Sequence, residues 1–571
     1  MPDAEAKLGP MTAAPWLANY RHPCVWDLAL PPLSLPQMLA DSVGRRGDGA
    51  MVDFLGRTFS YRAMAALAQR VARGLQDQGI GTGDRVGLFL PNVPHYVAAY
   101  YGALIAGATV VNFSPLYTVD ELAAQVEDSG TRLMFTLSAA ALLPTALKVL
   151  DHSSLKQLVV GSVAEVLSPV KSLAFRLLKR REVTTIPIDP RVMRFAALTQ
   201  NPAAPAPVAI DPEKDVALIQ YTGGTTGTPK GAMLTHQNLT ANARQVNAVD
   251  PDTQAPDRIL GVLPMFHVFA NTCVLNRTVL NGGTIVLLPR FEAGAALKAL
   301  SRTKATALPG VPTMYQALLD HPAIAKTDFS SLRVCISGGA PMPAELRDAF
   351  TTLTGAALVE GYGLTESAGV VSTNPYGGPV KPGTIGQVLP QTQVKLVDKE
   401  DAARPAPAGE PGELVVRGPQ IMQGYWNRPD ADADSFTADG WLRTGDVAVI
   451  DDDGYIRIVD RLKDMIAVGG FKVYPSEIER VLYMHPAVKE ALVLGVADTR
   501  LGERPAAFVT LESDAEPVGG DALMAWLNPQ LGKHERVASV KVRDSLPKTM
   551  IGKLDRKALR EQVAKGPPES V

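Results

Sequence analysis

The chain has 571 residues, 46% of them hydrophobic and 20% charged, a length beyond what one hydrophobic core ordinarily supports, so two or more domains are expected. The net charge of −2 gives no global field that would draw nucleic acid. Three cysteines, Cys24, Cys273 and Cys335, stand apart without a CxxC pair, which argues against a zinc site or disulfide framework and for a reducing, cytoplasmic setting.

In chain order, the acidic first ten residues lack an apolar h-region, and no run approaches the ~18 apolar residues of a membrane span, so neither signal peptide nor transmembrane helix is expected. Short Val/Ile/Leu-rich runs then alternate with amphipathic stretches, the pattern of α/β layers with mainly parallel strands. A helix is predicted over 61–78, and Gly79-Ile80-Gly81-Thr82-Gly83 ends it as a turn, since a dinucleotide loop would instead leave a strand. Strand 85–90, helix 96–106 and strand 109–112 follow.

Segment 166–181 sets Leu167, Val170, Leu173, Phe175, Leu177 and Leu178 among Lys171, Arg176, Lys179, Arg180 and Arg181. It reads equally as a basic membrane-interfacial segment or as a surface helix with a basic end. Pro/Ala-rich 201–207 and 401–411 are exposed loops. Further strands are predicted at 259–263, 284–288, 332–336 and 357–359. Beyond a boundary near Asp460, helix 475–483, strands 491–497 and 506–511, helix 523–527 and strand 537–542 suffice for a small α+β domain.

The apolar strand 216–220 leads into Tyr221-Thr222-Gly223-Gly224-Thr225-Thr226-Gly227-Thr228-Pro229-Lys230-Gly231, a loop expected to leave the edge of a sheet. Glycines let backbone N–H groups approach an anion, threonine hydroxyls add donors and a lysine brings positive charge, a combination suited to polyphosphate. It is not a Walker A loop, because Lys230 is followed by Gly231 rather than by Ser or Thr. Alone it would weigh no more than a surface Gly/Thr loop.

Other segments fit the same chemistry in a fixed order: Pro264-Met265-Phe266-His267, Gly361-Tyr362-Gly363-Leu364-Thr365-Glu366, Trp441-Leu442-Arg443-Thr444-Gly445-Asp446, Asp460-Arg461-Leu462-Lys463-Asp464 and Pro547-Lys548-Thr549-Met550-Ile551-Gly552-Lys553. Together, from about Arg57 to Arg560, they make the chain resemble the AMP-forming acyl-CoA synthetases, the adenylating superfamily that also holds firefly luciferase and peptide-synthetase adenylation domains.

The resemblance implies a large N-terminal domain of several subdomains with layered sheets and helices (1–459), a hinge (460–464) with Lys463 as hinge residue, and a small mobile α+β C-terminal domain (465–571). It assigns nucleotide binding to Thr222, Gly223, Gly224, Thr225, Thr226, Gly227, Lys230, Gly338, Gly339, Ala340, Gly361, Tyr362, Gly363, Thr365, Asp446 and Arg461. Tyr362 and the Gly338-Gly339-Ala340-Pro341 run would form the adenine pocket, and Asp446 would hold the ribose. Glu366 becomes a catalytic magnesium ligand with Thr226 as a second contact, Mg²⁺ being suited by few protein carboxylates.

His267 would face the acyl carboxylate, and Lys553 would stabilise the adenylation transition state, where two anions meet. Gly469, Gly470 and Phe471 would guide the CoA thiol. Read without the resemblance, each is ordinary: Glu366 a solvated carboxylate, Asp446 a turn aspartate, His267 a core histidine, Lys553 a solvated charge, Gly469-Gly470 a hairpin turn.

Leu358 to Tyr362, Val416 to Gln420 and Gly424-Tyr425-Trp426 look most like bacterial long-chain fatty acyl-CoA ligases, so a medium- or long-chain fatty acid is the expected substrate, with ATP and CoA as cosubstrates. A tryptophan that gates the tunnel of some fatty acid ligases is missing near Asn271, which leaves chain length and dicarboxylic acids open. The alternatives are a dicarboxylate- or aromatic-acid–CoA ligase, a fatty acyl-AMP ligase serving a carrier protein and, more remotely, a non-catalytic sensor. The resemblance leaves open a homodimer and peripheral contact with the inner face of the membrane.

Overall fold

The computed structural model describes residues 15–222, 229–252, 255–512, 516, 518–549 and 554–565. The chain forms two compact units, Met1–Gln393 with Arg417–Ser435, and Val394–Val416 with Phe436–Val571.

The first unit carries two large sheets. The nine-stranded one runs Gln387–Val388, Ser372–Thr373, Ala357–Tyr362, Val334–Ser337, Ala307–Gly310, Arg258–Gly261, Thr284–Leu287, Ala50–Phe54, Arg57–Ser60. Its inner pairs are parallel and only its outer ones antiparallel. The eight-stranded sheet runs Gly424–Tyr425, Lys230–Thr235, Val216–Thr222, Thr109–Asn112, Arg85–Leu88, Thr131–Leu137, Gln157–Gly161, Val192–Arg194. Here Val216–Thr222 corrects the expectation of a sheet edge. It lies inside, parallel to Thr109–Asn112 and antiparallel to Lys230–Thr235, so the phosphate-loop candidate joins two paired strands.

Helix Tyr61–Asp77 starts where the Ser60 hydroxyl accepts the Ala63 N–H at 3.2 Å and stops before Gly79, whose φ of 70° only glycine adopts readily. Its buried Met64, Ala68, Val71 and Leu75 make a stripe against helix Pro94–Ile105, which is buried along nearly its whole length. A Cβ on Gly102 would lie 2.5 Å from the Val71 side chain, so the helices can approach this closely only over glycine. The polar atoms of the buried helix are spent as ties. The single Tyr96 hydroxyl proton is shared between Asn112 Oδ1 at 2.9 Å and Met265 O at 2.8 Å, and Asn112 in turn donates to Gln220 Oε1 at 3.1 Å. The carbonyl of the Pro264–His267 segment and two strands of the eight-stranded sheet are thereby fixed to one helix, because breaking any tie would orphan a buried group.

The second unit holds a four-stranded sheet, Gln393–Val397, Gly412–Arg417, Leu442–Ile450, Ile456–Arg461, and a five-stranded sheet, Phe471–Val473, Ile466–Val468, Gly502–Leu511, Val488–Asp498, with Ser539–Val542 also pairing Gly502–Leu511. Helices Pro475–Leu482 and Gly520–Leu527 bury Ile478, Leu482, Leu523 and Leu527 with Ile466, Val493 and Val509, the expected α+β core. This unit takes in strands upstream of residue 460. Lys463 sits inside it, on the one-turn helix Leu462–Asp464 that joins its two sheets.

Candidate active site

In the first unit, the ends of three strands and two loops bring several expected residues together. Thr222 closes its strand directly opposite Lys230. The Lys230 ammonium stands 5.1 Å from the centre of the Tyr425 ring, a cation–π distance, and Tyr425 Oη donates to Glu366 Oε1 at 2.7 Å. Burial, followed by the nearby Glu366 carboxylate, pushes the Tyr425 phenol well above its ordinary range, so it remains a donor. Glu366 lies half-buried on the one-turn helix Thr365–Ser367, whose backbone is held by Met422 N donating to Glu366 O at 2.8 Å. Ammonium, phenol and carboxylate thus form one cluster. In the sequence Tyr425 carries only a hint to substrate class, through the aromatic run Tyr425-Trp426.

Strand Ala357–Tyr362 runs three residues past the predicted 357–359, so Gly361 and Tyr362 are strand residues, paired with Thr373 and Ser372. Gly363 then passes so close to the returning chain that a Cβ would sit 2.0 Å from Gly369 O. The same loop meets the His267 segment, where Thr272 Oγ1 donates to Ala368 O at 2.6 Å. On the neighbouring strand end, Gly338 is covered by the Phe269 ring, which a Cβ would meet at 3.1 Å, and Gly339 takes a φ of 86° that favours glycine. Ala340 follows, half-buried. Adenine-pocket and acyl-site candidates are therefore neighbours.

Half-buried His267 accepts the Phe269 N–H on Nδ1 at 3.3 Å, which places the ring proton of the neutral form on Nε2. The chain beyond continues as a π-helix, Asn271–Asn276, a geometry often kept at functional sites. Asn271 is fully buried and accepts from Tyr100 Oη at 3.3 Å and from Asn276 Nδ2 at 2.8 Å on its Oδ1.

Glu360, missed in the sequence, is a carboxyl side chain one residue before Gly361. Its Oε1 accepts the Met342 N–H at 2.5 Å, tying the segment after Ala340 to the strand, and burial pushes the carboxyl up to about 7. An acidic residue continuing the apolar run Ala357-Leu358-Val359 was the signal.

In the second unit, Asp446 and Arg461 face each other across two antiparallel strands, with Arg461 Nε 2.9 Å from Asp446 Oδ1. Asp446, the ribose candidate, is a buried strand residue, so the alternative reading of a turn aspartate does not apply. Gly445 at φ 69° locally kinks the strand, and Thr444 Oγ1 accepts the Asp446 N–H at 3.0 Å. Gly469 and Gly470, with φ of 57° and 88°, form the two-residue turn between Ile466–Val468 and Phe471–Val473, where Val468 pairs Phe471. Two consecutive left-handed residues are what a type I′ hairpin demands. Phe471 is 61% exposed and stacks on His534 with ring centres 5.1 Å apart. Gly223, Gly224, Thr225, Thr226, Gly227 and Lys553 lie outside the described residues.

Layered α/β sheets, a Gly/Thr segment ending on a strand lysine and a lysine–tyrosine–glutamate cluster beside it are the features of a nucleotide-handling α/β protein. Residues 39–426 match the family model described as AMP-binding enzyme, and 477–553 match its C-terminal domain, AMP-binding enzyme C-terminal domain. The chain belongs to this AMP-binding enzyme family. It is 39% identical over 553 residues to a long-chain-fatty-acid–CoA ligase of Bacillus subtilis (strain 168), covering 96% of this chain and 98% of the relative. It is also 39% identical over 500 residues to a feruloyl-CoA synthase of an Amycolatopsis species, covering 87% and 93%. Among solved structures, ATP-bound MatB from Rhodopseudomonas palustris superposes with a TM-score of 0.81 at 28% identity, covering 93% of this chain and 99% of that one.

Proposed function

We propose that the protein is an AMP-forming fatty acid–CoA ligase. A medium- or long-chain carboxylate attacks the α-phosphate of ATP to give acyl-AMP and pyrophosphate, and the CoA thiol then displaces AMP to give acyl-CoA. The observation that carries the chemistry is the Lys230–Tyr425–Glu366 cluster, which sets a cation for phosphate and an oriented carboxylate on either side of one phenol. The acyl class is supported by the full-length relative named for long-chain fatty acids.

Lys230 and the Thr222 end of the loop serve the phosphates, Tyr362 and Gly338 to Ala340 the adenine, and Asp446, braced by Arg461, the ribose. His267 donates from Nε2 to the acyl carboxylate. Glu366 would hold Mg²⁺, which supplies charge neutralisation on the triphosphate. One half-buried carboxylate suits that ion, since Mg²⁺ takes one or two carboxylates with water and phosphate oxygens, and no group of three or more candidate metal ligands clusters among the described residues. Lys553 acts in adenylation, the Gly469–Phe471 turn in thiol transfer, and Lys463 as the hinge between the two steps.

A second reading, an aromatic acid as substrate, is favoured by the feruloyl-CoA synthase at the same identity. CoA-dependent AMP release across linear, dicarboxylic and aromatic acids decides. The highest kcat/KM is expected on a linear medium- or long-chain acid, and preference for a cinnamate with fatty acids inert would overturn the fatty-acid reading.

A further inference from the structure

Helix Pro169–Leu178 in the first unit is built inside out. An ordinary surface helix turns its apolar stripe to the core. Here none of the ten residues is buried. Val170, Leu173 and Leu177, at helical spacing on one side, are 80%, 61% and 55% exposed, with Leu178 beside them at 81%. Ser172 and Phe175, on the opposite side, are the half-buried ones. The apolar stripe therefore points away from the protein.

The helix is held in this attitude at its start. Arg57 Nη1 donates to Glu165 O and Leu167 O at 2.7 and 2.9 Å, and Lys171 Nζ donates to Leu55 O at 2.6 Å. Around the stripe stand Lys171, Arg176, Lys179, Arg180 and Arg181. Between residues 166 and 188 the sole acid is Glu182, which pairs with Lys179 at 2.5 Å.

We propose that this helix docks the protein on an anionic lipid bilayer, with Val170, Leu173, Leu177 and Leu178 entering the acyl boundary and the flanking cations meeting lipid phosphates. Charge selects this occupant over a second copy of the chain. A symmetric pairing would set Arg176, Arg180 and Arg181 of one copy against those of the other, whereas an anionic membrane complements them. The stripe is short, so binding is reversible.

The test is co-sedimentation of the full chain with vesicles of phosphatidylcholine containing phosphatidylglycerol, against phosphatidylcholine alone, at low and high salt. The protein is expected on anionic vesicles only, and less at high salt. Each cation contributes roughly fivefold to partitioning, so R176Q/R180Q/R181Q is expected to bind ~10²-fold more weakly. Leu173→Ser with Leu177→Ser is expected to release the protein as well, and both variants should keep wild-type AMP release on a short soluble acid. Equal binding by wild type and variants, or none to anionic vesicles, would overturn the proposal. So would a vesicle-free dimer, seen by sedimentation equilibrium, that the serine pair dissociates, because the face would then join two copies.

Discussion

Glu360 is an ionisable side chain on a buried strand, and its environment makes it a titrating group near neutrality. Burial raises the carboxyl from 4.5 to about 7, with the Met342 N–H opposing the rise. The folded protein therefore holds this proton more tightly than the unfolded chain. The stability it brings is complete below pH 4.5 and is lost as pH rises through about 7. The contact with Met342 runs the other way, since a carboxylate accepts an N–H more strongly than a carboxylic acid does. Ionisation thus tightens the segment beyond Ala340 while it costs global stability. ATP–pyrophosphate exchange is expected to show kcat/KM for ATP rising through pH 7, while Tm falls over the same interval. Glu360→Gln keeps an acceptor oxygen but cannot ionise, so both slopes should flatten; an unaltered rate profile in this variant would remove Glu360 from the account.

The hairpin Ile466–Val473 shows how element geometry and proposed role can be separated. A side chain on Gly470 would meet nothing within 4 Å, so a substitution there strains the backbone at φ 88° without a clash. Gly470→Ala carries that strain, roughly 1–2 kcal/mol for a residue forced left-handed, and little else. Gly470→Trp adds bulk on an exposed turn. If the turn borders the thiol path, Trp should cut acyl-CoA output far more than Ala, with pyrophosphate release in the absence of CoA retained in both. Equal losses would make the glycine a requirement of the turn alone.

Elements built from local runs were legible in the sequence: 109–112, 284–288 and 475–483 each fall within one or two residues of their elements. What depended on distant pairing was not. The strand from Ala357 continues to Tyr362 because Gly361 and Tyr362 find Thr373 and Ser372 after the chain has turned back, a contact no periodicity reports. Thr444-Gly445-Asp446 has turn composition, yet Asp446 faces Arg461 across a ladder. In the candidate site, Lys230 and Glu366 are proposed from motif order. Tyr425, which joins them, was not, because its strand Gly424–Tyr425 pairs with Lys230–Thr235 from nearly two hundred residues away in sequence.

At the scale of the whole molecule, the proposed reaction asks one chain to run two chemistries, and Lys553 separates them. Described residues on either side of it have ties of their own: Lys548 forms a β-bridge with Leu554, Lys548 Nζ lies 2.5 Å from Glu490 Oε1, and Asp555 N donates to Pro547 O at 2.8 Å. Lys553→Ala should accordingly leave Tm nearly unchanged. If the ammonium stabilises charge gathering between carboxylate and α-phosphate, its loss should slow acyl-AMP formation by ~10²–10³, the usual magnitude for one preorganised electrostatic donor. The second step forms a thioester and releases AMP without that meeting of anions, so turnover of supplied acyl-AMP with CoA should persist at close to the wild-type rate. Single-turnover measurement of each half-reaction reads the two effects apart. A folded Lys553→Ala protein that lost both steps to the same degree would show that one arrangement of the chain serves both, and the role proposed for Lys463 as a hinge would fall with it.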